Sequence, residues 1–350
     1  MAGSRIVRRK RVRKRRIKLL SSILLVLFLG TVGYTALQVA QGQDIADEGG
    51  GFDEEDKEEA DEFTKEKEKA DPEKKKEYND NKVNVLLVGS DQREENKVDR
   101  TDTIMIGQFD KETGDTKLVS IMRDTYVDIP EGYGYNKINA SYAYGGVNLL
   151  TKTIEQNFGI TIDHFAEVNF EGFTHIVDEI APKGIKMDVE KRMKYQDGAG
   201  TIDIDLHPGV QRLSGSQLLD YARFRADAKS DFGRVERQQK VISLLKSEVL
   251  SISNFFEVGK IGGMVSGYVN TDLGVGGLMN YGQLFARKHD GNIDTKRIPV
   301  EGSYWNERYE HAGAVLAHDE ETNRNALQEF LGAKPEKVAN KDEEEKEDAS

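Results

Sequence analysis

No cysteine occurs anywhere in the 350 residues. That excludes thiolate catalysis, cysteine zinc sites and disulfides, so an exported domain of this sequence is held by its core alone. Histidine is scarce as well. His164, His175, His207, His289, His311 and His318 form no HExxH or other metal-ligand spacing. No internal repeat is present. Long apolar runs are lacking with one exception, Leu19–Val39, "LLSSILLVLFLGTVGYTALQV". About 20 uncharged residues suffice to cross a hydrocarbon core of roughly 30 Å.

Charge is plentiful but unevenly placed. Residues 1–18 hold ten Lys or Arg and no acid, and the rest of the chain has 40 basic against 62 acidic residues. A basic flank before an apolar segment predicts a cytoplasmic tail (1–18), a transmembrane helix (19–39) and an extracellular remainder, a single-pass type II arrangement. The competing reading is a cleaved signal peptide, for which Ala40-Gln41-Gly42 is a passable small-x-small site, although its apolar core is usually only about 7–15 residues.

Residues 43–80 are a charged run with few apolar side chains and predict an extracellular spacer, with room for helical turns in its Glu/Lys mixture. The acidic tail 334–350 is expected to be disordered for the same reason. Residues 81–333 carry a globular pattern. "VNVLLVGS" (83–90), "DTIMIGQF" (102–109) and "KLVSIM" (117–122) read as strands, the last two joined by a turn at "TGD". "NASYAYGGVNLLTKTIEQNFG" (139–159) reads as a helix with Asn139 as cap and Gly159 as stop. Strands at 164–170, 184–189, 201–206 and 294–300 alternate with helices at 171–180, 214–225, 234–251, about 274–287 and about 320–332. The alternation predicts an α/β fold, a three-layer α/β/α sandwich with a mixed central sheet.

Three polar arrays exceed what a fold needs. In "GSDQREENKVDRTDT" (89–103), Asp91 and Arg93 follow one strand while Arg100 and Asp102 precede the next, so neighbouring strands would bring both Asp–Arg pairs to one sheet edge. Two carboxylates without a nearby histidine suit a hard cation such as Mg²⁺, and mutual neutralisation is the alternative. "SIMRDT" (120–125) places Arg123 and Asp124 after a strand, a weak signal alone. "DYARFRADAKSDFGRVERQ" (220–238) gathers Arg223, Arg225, Arg234 and Arg237. With Gly233 opening a helix, Arg234, Arg237, Gln238 and Val241 recur at helical spacing. Cations gain nothing from the dipole at a helix start, and a bound phosphate would resolve that conflict. Nucleic acid is a poor candidate ligand, because the domain is strongly acidic and predicted to lie outside the cell.

Six ordered motifs, "LLVGSDQR", "DRTDTIMI", "VSIMRDTYVDIP", "NKINASYAYGG", "LDYARFR" and "DFGRVERQQ", resemble the LytR-CpsA-Psr family of Gram-positive cell-envelope proteins. The resemblance covers about 83–250 closely, and the topology is similar throughout. It implies an α/β/α domain with an apolar pocket for a polyprenyl chain. It also implies a phosphotransferase that moves an anionic glycopolymer, such as wall teichoic acid, from undecaprenyl pyrophosphate to the C6 hydroxyl of N-acetylmuramic acid in peptidoglycan. By motif, the family's Mg²⁺-associated aspartates fall on Asp91 and Asp102. Its pyrophosphate-binding arginines fall on Arg100, Arg123, Arg223 and Arg225. Asp231, Arg234 and Gln238 match further polar positions, and Arg93 adjoins them. Arg123 would act in catalysis, and Asp91, Asp102 and Asp231 are the candidate proton acceptors. The membrane enters as a partner through the anchor. The remaining alternative is a non-catalytic envelope-binding protein or a regulator, the label that many family members carry.

Overall fold

In a computed structural model, the described residues are 40, 44, 52, 54–69, 81–91, 100–196, 202–227, 230–251, 263, 265, 267–288 and 292–333. The expected tail 1–18, membrane helix 19–39, acidic tail 334–350 and Arg93 lie outside them.

The three strands read first in the sequence form the centre of the sheet. β1 (Lys82–Asp91) pairs antiparallel with β2 (Arg100–Asp110), which pairs antiparallel with β3 (Thr116–Ile121). β6 (His164–Asn169) joins β1 in parallel, β12 (Asp294–Ile298) joins β3 in parallel, and β11 (Val269–Thr271) caps β6 antiparallel. The order is β11-β6-β1-β2-β3-β12. The sheet is therefore mixed, and helices lie on both faces.

One face is sealed. Leu86, Ile104, Ile106 and Val119 are buried under α2 (Ile138–Phe158), whose Leu150, Ile154 and Phe158 have no exposed surface. The helix stops at Gly159, which takes the left-handed conformation (φ 62°) as its sequence position requires. Its start differs from expectation. Lys137 occupies the cap without a side-chain bond, and the first N–H groups go to main-chain carbonyls instead, Ile138 to Thr125 and Asn139 to Arg123. Short hairpins flank this region: β4 (Tyr126–Ile129) with β5 (Gly134–Lys137), and β13 (Tyr304–Tyr309) with β14 (Gly313–His318). None of these four strands is evident in the sequence.

The reading of 43–80 as spacer fails for its middle part. Residues Glu54–Lys69 form helix α1, which lies on α2 and β11, while the C-terminal helix α7 (Glu320–Leu331) packs on α2 and β12 at the other edge of the sheet. Ala60 and Phe63, one turn apart, enter the core, and Phe63 meets Phe165 edge-on at 5.0 Å. Two ion pairs, Lys67–Glu155 at 2.6 Å and Glu66–Lys152 at 2.9 Å, hold the polar flank. At Gly145 and Gly146 the helical dihedrals of α2 break, leaving the Val147 N–H without a helical partner. Glu59 of α1 accepts it at 2.6 Å. Gly146 has φ 57°, and a Cβ there would sit 1.8 Å from that carboxylate. Only glycine suits this clasp.

The opposite face is covered by α3 (Phe170–Ile180), α4 (Gly215–Arg223) and α5 (Ser230–Ser251), with two small sheets beyond: β7 (Ile185–Val189) with β10 (Gly209–Leu213), and β8 (Met193–Gln196) with β9 (Asp203–Leu206). Ser214 caps α4 in a full capping box with Gln217, and Asn169 caps α3. Helix α5 begins at Ser230, earlier than the sequence suggests. Gly233 thus lies inside it, and Asp231 holds the acidic first turn that the dipole favours. Helix α6 (Val275–Lys288) lies between β11 and β12 in the chain.

Candidate functional site

The register of β1 and β2 slips between Gly89 and Ser90. Gly89 pairs with Thr103 and Ser90 with Thr101. Asp102 is therefore the extra residue of a bulge, a device that re-aims a side chain. Its carboxylate meets two guanidiniums. Arg123, just past β3, donates to Asp102 Oδ1, and Arg234 Nη1 of α5 stands 3.5 Å from the same oxygen. Arg234 also lies 3.2 Å from Asp231, one turn back on the helix. Gln238, one turn forward on that face, donates to Thr103 Oγ1 at 2.8 Å. Arg123 is propped in turn by Asp124 at 3.6 Å, and Asp124 is held by Lys137 at 2.9 Å.

Electrostatics fix the charge states. Burial alone would raise the Asp102 pKa, but Arg123, Arg234 and Arg225 together hold it below the ordinary value. Burial also works against the Arg123 cation, and Asp102, Asp124 and Asp231 outweigh it, so its pKa is raised. Arg234 differs. Its side chain is only 4% exposed. Burial, with repulsion from Arg123 and Arg225, lowers its pKa despite the attraction of Asp102 and Asp231. Among the described residues, buried Arg123 Nε, Arg234 Nε, Asp231 Oδ1 and Ser90 Oγ have no hydrogen-bond partner. A buried polar group without a partner costs free energy. Two of these four atoms are donors on cations, which suits an anion with several oxygens.

The cluster stands at a junction. Asp102, Arg234 and Gln238 line a small pocket with Arg123, Asp124 and Asp231, floored by apolar residues such as Ile104 and Met122. The same three residues line a cavity of about 220 Å³ between the sheet and helices α3, α4 and α5. The cavity walls are apolar, with Leu87, Met105, Ala166, Phe173, Leu219 and Ile242 among them. Arg223 also lines it, its guanidinium 4.2 Å from the centre of the Phe170 ring.

The predicted site residues are thus partly brought together. Asp102, Arg123, Asp231, Arg234 and Gln238 converge, and Arg223 adjoins them. Arg225 is exposed and acts on the cluster through its charge. Asp91 and Arg100 are cross-strand partners at the same end of the sheet. Of these two only the main chain is described. Arg237 turns away from the site: it pairs with Asp227 at 2.9 Å and donates to the Phe224 carbonyl, a brace for the α4–α5 connection. The sequence reading missed Thr103, the Lys137 prop and every cavity wall. Only the apolar strand residues hinted at the last. Among the described residues no three His, Asp or Glu side chains form a metal-sized cluster. That does not conflict with Mg²⁺, which is commonly held by one or two carboxylates plus phosphate oxygens.

Residues 52–327 match the model of the LytR_cpsA_psr family. Regulatory protein MsrR of Staphylococcus aureus is 39% identical over 253 residues, 72% of this chain and 75% of that protein. The polyisoprenyl-teichoic acid–peptidoglycan teichoic acid transferase TagU of Oceanobacillus iheyensis is 32% identical, over 73% and 79% of the two chains. The solved structure of TagT bound to LIIa-WTA superposes with a TM-score of 0.59 at 26% identity, over 72% of this chain and 92% of that one.

Proposed function

Because the chain belongs to the LytR_cpsA_psr family, we propose that it is a cell-envelope transferase, moving an anionic glycopolymer from undecaprenyl pyrophosphate to the C6 hydroxyl of N-acetylmuramic acid in peptidoglycan. The carrying observation is the junction itself. A cavity walled by apolar side chains opens onto Asp102, Arg234 and Gln238, with Arg123 directly behind. Few ligands combine a long apolar tail with a compact polyanion, and a polyprenyl pyrophosphate is one. The TagU name and the TagT complex with LIIa-WTA support the same substrate class.

In this reading the prenyl chain fills the cavity and the pyrophosphate lies against Arg123, Arg234, Arg223 and Arg225. The acceptor hydroxyl attacks the phosphorus bearing the polymer. The bond to the distal phosphate breaks, and undecaprenyl phosphate leaves with the bridging oxygen. The hydroxyl proton passes to a carboxylate, Asp91, Asp102 or Asp231. The arginines stabilise the charge that grows on the leaving oxygen, the main lever in phosphoryl transfer. Asp102 is already ionised beside them, and with Asp91 it would hold Mg²⁺. The ion, when bound, would neutralise phosphate oxygens. The residues 19–39 would anchor the enzyme with its site outside the cell.

The test is a transfer assay with the full chain in detergent, synthetic undecaprenyl-pyrophosphate-linked teichoic acid and uncrosslinked peptidoglycan, in Mg²⁺ and in EDTA. Wild type should release undecaprenyl phosphate and label glycan, with less transfer in EDTA. Arg123→Ala should weaken binding of the lipid about ten- to a hundredfold, the loss of one charge-assisted contact. Arg212→Ala, an exposed change remote from the cluster, should not. A wild type that holds the lipid yet transfers nothing would instead be a binding or regulatory protein, as the MsrR name suggests for that relative.

A further inference from the structure

Among the described residues, five large apolar side chains are exposed, and four of them, Tyr133, Tyr135, Tyr144 and Trp305, belong to the two hairpins and the start of α2. Tyr133, Tyr135 and Tyr144 belong to two groups of neighbouring rings. Tyr126 stacks on Tyr309 at 4.6 Å and 14°, with Tyr135 at 5.5 Å and His311 at 6.2 Å. Tyr133 stacks on Tyr144 at 4.9 Å and 12°. Polar bonds fix the rings: Tyr135 to Glu320 at 3.1 Å, Asn136 to Tyr144 at 3.0 Å, and His311 Nε2 to the Tyr135 carbonyl at 3.0 Å. Trp305 shares the Tyr309 side of β13 by strand alternation and donates to Glu307 at 3.2 Å. An exposed aromatic patch of this extent marks a binding surface.

Both hairpins are tied to the anion site at one residue. Asp124, beside Arg123, takes the Lys137 ammonium from β5 and the Leu316 N–H from β14. Tyr126 follows Arg123 by three residues, at most about 10 Å of chain. A ligand on Tyr126 would therefore lie close to the proposed phosphate site.

We propose that this array is a docking platform for neutral N-acetylated sugar units of the acceptor glycan strand, a proposal that rests on the transferase reading. Flat rings with one exposed face suit the C–H face of a pyranose, and acids and amides at their edges suit its hydroxyl and acetamido groups. Charge decides against the other candidate, an anionic membrane surface. Asp128, Glu307, Glu310 and Glu320 border the rings against Arg308 and a Lys137 that is already paired, so acids predominate. An anionic headgroup layer or a teichoic acid chain would be repelled there.

Trp305 is the one tryptophan of the chain, so its fluorescence reads this surface alone. The full chain in nanodiscs should show an emission change on titration with chitohexaose, a neutral N-acetylglucosamine hexamer, and no quenching by brominated lipid. The double change Tyr135→Ala with Tyr144→Ala should weaken chitohexaose about tenfold or more, with the thermal midpoint and lipid-pyrophosphate binding at wild-type values. Arg123→Ala should keep chitohexaose affinity while losing lipid affinity, which separates failure of the platform from failure of the transferase reading. Equal chitohexaose affinity in wild type and the tyrosine double variant, or no response at all, would overturn the proposal. Quenching by brominated lipid would make the rings a membrane-facing patch and overturn it as well.

Discussion

On one face of the central sheet, Leu86, Ile104 and Ile106 are sealed beneath α2, with no more than 2% of their surface exposed. On the other, Leu87 and Met105, their neighbours on the same two strands, border a hollow of about 220 Å³. Alternation gives both faces the same kind of residue, so composition does not explain the difference. The covering layer does. Three helices press on the first face, α2 on its centre with α1 over β6 and β11 and α7 over β12. The second is spanned by three helices set apart from the strands. Protein interiors normally pack as densely as organic crystals, so a hollow of this size is an exception that the proposed lipid ligand would fill. In the proposed reading, the densely packed first face serves stability and the hollow on the second serves binding.

That division can be broken most severely at Phe158, which has no exposed surface. Phe158→Ala should cost about 3–5 kcal/mol in urea unfolding, while the folded fraction binds lipid pyrophosphate as wild type does. Ala222→Phe, on the wall of the hollow, should do the reverse. Lipid affinity should fall about tenfold, on the order of 1.4 kcal/mol, with a thermal midpoint unchanged or raised. A midpoint that falls with affinity intact would mean that the hollow is ordinary core.

The smallest effect concerns Asp220 of α4, on the binding side. Burial, aided by Asp203 and opposed by Arg223, lifts its carboxyl to about 6. The folded state therefore disfavours the charged form. The resulting penalty is absent below the ordinary pKa of 3.8, grows as pH rises to about 6, and is complete above. Asp220→Asn should be more stable than wild type at pH 7, by on the order of 1 kcal/mol because water still reaches the group. The gap should close by about pH 4. Urea midpoints at the two pH values measure it, and a gap that widens in acid would reverse the assignment.

The sheet was legible except for its three-residue edge strand β11, and helix ends were legible where they are chemical, as at the Gly159 stop and the Ser214 cap. The site was legible as residue types, since Asp102, Arg123, Arg234 and Gln238 stand out in their motifs. Their convergence was not, because it depends on a one-residue bulge at Asp102 and on Gly233 lying within α5. Helix α1 hid behind its charge: Ala60 and Phe63 are the apolar residues that commit it to the core. Strands such as "YVDI" and "GYNK" are four residues long, too short to show a period. The hollow has no signature in one dimension, for it is a property of how three helices are spaced.

The clasp of α1 sets a length. Were residues 43–80 a free spacer, a domain beginning at residue 81 would trail from the proposed membrane anchor 19–39 by roughly 42 residues, as far as about 145 Å when taut. With α1 docked, and Phe52 bonded through its N–H to the Gly267 carbonyl at 3.1 Å, the domain begins at residue 52. Between residues 39 and 52 lie roughly 13 residues, at most about 45 Å of chain. If 19–39 is the anchor and the donor is lipid-borne, as proposed, the domain would search a thin shell above the bilayer with that donor within reach.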